Sequence, residues 1–291
     1  MMQFGAALQL AGFLIVLQLQ LGKIVLGVLG NLTMVSEYEV AFRVANAVGS
    51  LPVLVMLSVI PAASRAWESE GHKAIVPLFI STSRWVYTHT VITLGLLWLL
   101  AQDIAHVWLG PGHEHIAFLI QLWAVAYAII LAWGPGTVIA RGIGMPWLEV
   151  WGLGSAVLAN LALSYWWVPR FGSAGAVAAL GASFVVAFTV FVATFHRRSR
   201  IPFGPWFGRE LIPRALAGVL TVGSIAWLLT INEVARRLPA PGWKHGAIVT
   251  ALFVAIFAIG FAPLGDTQRL HRTAWQMVGA AWARRRPVTA S

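Results

Sequence analysis

Long apolar runs separated by short polar segments set the architecture of this chain. Eight such runs, at 4–32, 40–63, 85–101, 116–140, 147–168, 174–195, 213–231 and 247–264, approach or exceed the roughly 20 residues a helix needs to cross a bilayer core. They are too long for barrel strands and lack the alternation that a barrel wall imposes. The pattern predicts an all-α, polytopic membrane protein with about eight transmembrane helices. The first run reads as a span rather than a cleaved signal, because no basic segment precedes it and it continues well past a signal-like core. Pro52 and Pro61 are expected to bend the second run, and Gly134-Pro135-Gly136 to interrupt the fourth. Gly142, Gly144, Gly172, Gly175 and Gly181 are positions where helices can approach closely.

Composition agrees. Of 291 residues, 59% are hydrophobic and only 10% charged, which excludes an ordinary water-soluble globule and a disordered chain. The absence of cysteine excludes disulfides, thiolate metal sites and cysteine nucleophiles.

The net charge of +10 raises nucleic acid as a partner, but the placement of the charges argues against it. Segments sharing one side of the eight-span topology hold 14 Lys and Arg residues, the other side holds 4, and Lys23 and Arg43 fall inside spans. The positive-inside rule then puts both termini in the cytoplasm. At the end of the chain, Leu270, Ala274, Met277, Val278 and Ala281 form one helical stripe beside Arg272 and Arg284–Arg286. This tail is either an amphipathic helix on an anionic leaflet or a solvated extension.

Ionisable groups inside a membrane are costly and therefore informative. In the first run Gln9, Gln20, Lys23 and Asn31 share a broad helical face with Gly12 and Gly27. Lys23 lines a wet cavity for an anionic substrate, or it snorkels, or it makes a buried interhelical hydrogen bond. Arg43, about a turn into the second run, either joins Lys23 on a phosphate or pairs with Glu39 at i, i+4. Asn160 is either a helix–helix hydrogen bond or a cavity residue. All ten acids are expected in loops or within about a turn of a span end, which disfavours coupling through a midplane carboxylate. His106, His113, Glu114 and His115 crowd one loop, but their spacing fits no metal motif. No catalytic triad, phosphate loop or dinucleotide fingerprint stands in a plausible context, so an enzyme is not expected.

Residues 21–65 resemble the opening of the second lobe of polysaccharide-biosynthesis flippases, in the superfamily that also holds multidrug and lipid II exporters. The resemblance rests on Lys23, Leu26-Gly27, Tyr38, Ala41, Arg43 and Pro61–Arg65. It continues through Val107-Trp108-Leu109-Gly110, Gly142–Pro146, Asn160 and Val168–Ala176. It implies a six-helix membrane lobe over 1–200, two accessory helices over 201–265 and a basic tail over 266–291. Where the family often has an acid before its lysine, this chain has Gly22, so no ion pair is expected there. The family has two lobes, so the chain reads as a carboxyl-terminal lobe that needs an amino-terminal lobe, absent or separate, or a homodimer.

The resemblance implies flipping of an undecaprenyl-pyrophosphate-linked oligosaccharide across a bacterial inner membrane for surface polysaccharide synthesis. Lys23 and Arg43 would lie near the phosphates, with Gln20 and Asn160 offering hydrogen bonds. A drug or metabolite antiporter of the same fold and a membrane glycan polymerase or ligase are the alternatives. No cofactor or metal is implied.

Overall fold

The computed structural model describes residues 2–231 and 238–261. Its helices are α1 (Met2–Leu29), α2 (Leu32–Leu57), α3 (Val59–Glu70), α4 (His72–Leu109), α5 (Glu114–Gly142), α6 (Trp147–Ser199), the short α7 (Phe203–Trp206), α8 (Ile212–Thr230) and α9 (Trp243–Phe261). A π-helical turn, Phe207–Leu211, joins α7 to α8. No strand occurs among the described residues. The basic stripe at 270–286 and Glu233, Arg236, Arg237 and Asp266 lie outside them.

Seven helical stretches among the described residues are long and apolar enough to cross a membrane. The fifth, α6, has 53 residues and would reach about 80 Å if straight, far more than one bilayer. It does not run straight. Gly172 leaves helical geometry at φ 55°, ψ −133°, and the two arms fold back on each other. A Cβ built on Gly152 would lie 3.4 Å from both the Ala187 carbonyl oxygen and Phe191 Cβ. Each of the eight apolar runs, as far as the described residues reach, therefore falls in a helix, two of them in the arms of α6.

Helix ends depart from hydropathy where local chemistry intervenes. Asn31, expected inside the first span, instead caps α2: its side chain accepts from the Met34 amide at 2.9 Å. The first helix therefore stops at Leu29 and the second begins at Leu32, not at 40. The third run, expected at 85–101, lengthens to 72–109 because its flanking polar residues find partners within the fold. Arg84 pairs with Glu210 at 2.7 Å, and Asp103 accepts from the Gly242 amide at 2.7 Å. Gly134-Pro135-Gly136 does not interrupt α5, which stays helical from Glu114 to Gly142. Its two glycines instead admit the Met56 and Phe191 side chains.

The core centres on α5. Tyr38 of α2 packs edge-on against Trp123, and the Tyr127 hydroxyl donates to Asn46 Oδ1 at 2.7 Å. Further along, Gly142 accommodates Ala63 of α3. This succession makes α2–α3 and α5 parallel. On the far flank α8 and α9 lie against α4, with Leu99, Ile225, Val249 and Phe253 forming a small apolar cluster of their own. Trp206 fastens the chain entering α8, donating to Ser83 Oγ at 3.1 Å and to Tyr87 Oη at 3.0 Å.

Candidate functional site

Lys23 and Arg43 come together, and what joins them is Glu39. Glu39 Oε2 lies 2.8 Å from Lys23 Nζ and Oε1 lies 2.9 Å from Arg43 Nε. The contact is possible because Lys23 and Glu39 stand at similar distances, six and seven residues, from the ends of the turn that links α1 to α2. Gly22 has no side chain, so the Tyr38 ring seats against α1 and brings the next residue, Glu39, to Lys23. Gly22 thus shapes the site that its identity was expected to weaken, and the missing ion pair is supplied from α2. Lys23 Nζ also stands 5.3 Å from the centroid of the Phe42 ring. Of the two alternatives read for Arg43, the pairing with Glu39 at i, i+4 is present, and the same carboxylate links it to Lys23.

The cluster carries two cations and one anion. Lys23 and Glu39 are partly covered, with side chains 22% and 26% exposed, whereas the Arg43 side chain is 72% exposed. Glu39 is seven residues into α2, about 10 Å along its axis, and not at a helix end as expected. Two residues away, on the opposite side of the helix, Glu37 takes hydrogen bonds from Ser173 Oγ and faces His115 Nε2, both at 3.2 Å.

The polar face of α1 is the uncovered face. Gln9, Gly12 and Gly27 are exposed, and Gln20 and Lys23 are half-buried. Gln20 stands one turn before Lys23 on this face, outside the ion-paired cluster. Asn160 does not belong to the same surface. It is fully buried in the first arm of α6, where its Oδ1 accepts from Ser164 Oγ at 2.9 Å within the same helix. Its Nδ2 is buried without a hydrogen-bond partner.

Sequence reasoning missed Gln18. This residue is fully buried and donates to Ser183 Oγ on the second arm of α6. The signal was present: Ala7, Ala11, Gln18 and Leu26 are all buried and recur at helical spacing.

Other acids inside the fold are also matched by bases. Glu149 holds Arg141 through two 2.7 Å hydrogen bonds. Glu210 faces both Arg84 and Arg214 at 2.7 Å, and Asp103 accepts from the Gly242 amide at 2.7 Å and meets His245 Nδ1 at 2.9 Å. Among the described residues no group of three His, Asp or Glu side chains is placed to hold a metal ion.

A cleft lies at the other end of α1. Phe4, Pro61, Ser64, Trp67, Glu68 and Arg141 are among the residues lining a cleft of about 440 Å³ where α1, α3 and the end of α5 converge. Phe4 and Lys23 are about 28 Å apart along the helix. No family model, curated protein or solved structure matches the chain.

Proposed function

We propose that this chain is one lobe of a membrane transporter that moves an anionic, lipid-linked oligosaccharide across the bilayer. The observation that carries the reading is the convergence of Lys23 and Arg43, from two different helices, on the uncovered polar face of α1. A sugar–pyrophosphate headgroup cannot cross hydrocarbon unaided, and two adjacent cations offset its charge where water is scarce. The polar face would meet lipid if the chain acted alone. A water-filled passage shared with a second lobe, or with a second copy, removes that cost. The cleft beside Phe4 is the entrance at the other end of the same helix.

The excess of Lys and Arg on the side holding Arg65, Arg141 and Arg197–Arg200 supports a cytoplasmic position for that end. The flippase resemblance implies a bacterial inner membrane, and in this reading the passage runs outward toward Lys23. Rocking of the lobe about the passage would alternate access. Lys23→Ala is expected to abolish export of the lipid-linked glycan while leaving protein level intact. Normal export with Lys23→Ala and Arg43→Ala combined overturns the assignment.

A further inference from the structure

We infer that Glu39 is an internal counter-anion that occupies the phosphate position between Lys23 and Arg43 and must yield it to the ligand. The inference rests on the transporter reading and concerns the specificity of the same site.

The geometry is that of a bridging anion. Each carboxylate oxygen serves one cation, at 2.8 and 2.9 Å, as two non-bridging oxygens of a phosphate would. The carboxylate arrives from two directions at once: along α2 to Arg43 and across the helix pair to Lys23. The cluster nevertheless keeps one positive charge in excess, so a second anion is drawn to it. Arg43 engages Glu39 through Nε alone, and its exposed guanidinium turns the remaining donors outward as a first contact. Glu37 does not crowd that approach, because it lies across α2 in contact with His115 and Ser173.

Such an arrangement discriminates by strength. A weakly held anion cannot displace a carboxylate already seated on both cations, whereas a pyrophosphate with several charged oxygens can. The same carboxylate, returning to Lys23, drives the ligand off at the end of the cycle. Removing its charge therefore strengthens binding and slows release.

The test is calorimetric titration of inorganic pyrophosphate into the full chain in neutral phosphatidylcholine nanodiscs. Glu39→Gln keeps the shape of the side chain and is expected to bind about tenfold tighter than the unsubstituted protein, the equivalent of one charge-assisted hydrogen bond no longer competing. Lys23→Ala added to Glu39→Gln is expected to abolish the gain. Glu39→Asp, whose shorter carboxylate spans the two cations less well, is expected to fall between and decides the matter if Glu39→Gln does not fold. A purely structural Glu39 predicts the reverse, with binding weakened or unchanged in both variants, and that result overturns the inference. Binding to the unsubstituted protein without tightening in the variants sinks the counter-anion role alone. No binding to any of the proteins sinks both this role and the transporter reading.

Discussion

Gln18 on α1 donates to Ser183 on the second arm of α6 across 2.5 Å, and its own carbonyl oxygen is buried with no donor. The pair ties α1 to the rest of the lobe through one satisfied and one unsatisfied polar atom. Ser183→Ala removes the partner and leaves the whole amide unpaired, which is expected to lower stability by about 1 kcal/mol. Gln18→Met deletes the orphan oxygen together with the donor at nearly constant volume, and is expected to cost less than Ser183→Ala. A double-substitution cycle read by unfolding in sodium dodecyl sulfate checks the order. Equal losses in the two single variants would contradict it.

The comparison of Gln18 with Gln20 shows how much of this protein is legible in its sequence. All eight apolar runs fall in helices as far as the described residues reach, two of them in the arms of α6, because backbone groups in lipid must be satisfied within their own helix and hydropathy reports that demand directly. Which face of a helix is covered is a weaker signal. The polar series Gln20–Lys23–Gly27 drew attention as a functional stripe, and it is the uncovered side. The buried polar residue stood two positions away, on the stripe marked by Ala7 and Ala11. The Lys23–Glu39 pair depends on how two helices seat around Gly22 and Tyr38, and no periodicity within one helix encodes that. Gly144 and Gly172, within motifs on which the flippase resemblance rests, adopt φ of 81° and 55° at turns. Those motifs therefore report turning geometry, while the proposed ligand contact rests on Lys23 and Arg43 alone.

Gly172 makes the turn that doubles α6 back on itself, in a φ, ψ combination that a side chain disfavours. Gly172→Ala is expected to destabilise the chain by about 2 kcal/mol, within the range for a residue forced into sparsely populated backbone space. Met34 Cε, 3.3 Å from the built Cβ, adds a tight contact. Gly154→Ala, in the open on the first arm, is the control and is expected to be neutral or slightly stabilising, because alanine favours helix. Comparable losses in both variants would remove the special status of the turn.

Asn31 closes the amino-terminal end of α2 close to the ion-paired cluster, and its cap is a local hydrogen bond. Asn31→Ala is expected to cost about 1 kcal/mol, and Asn31→Asp to be nearly neutral because it retains the acceptor and adds favourable charge at a helix start. Hydrogen exchange at the Met34 amide is the direct readout. It should accelerate in Asn31→Ala and stay slow in Asn31→Asp.

Glu210 fastens the helix pair α8–α9 to α4 through buried charge. Its side chain is 8% exposed, Arg214 is 3% exposed, and Arg84 reaches the same carboxylate from α4 with two hydrogen bonds at 2.7 and 3.1 Å. Removing one member of a buried ionic group costs more than the group contributes as a whole, because the charges left behind have lost their solvent as well as their partner. Glu210→Gln is therefore expected to lower stability by about 3 kcal/mol, the lower end for a broken buried pair since Arg84 is partly solvated. Replacing Arg84 by Met in the same chain should restore part of the loss, because one of the two cations facing the neutralised position is gone. The loss should be local to the accessory helices. Limited trypsin digestion of Glu210→Gln is expected to cut first at Arg209 or in the Arg197–Arg200 segment that leads into α7, while α1–α5 remain intact. Uniform cleavage throughout the chain would show instead that Glu210 holds the whole fold together.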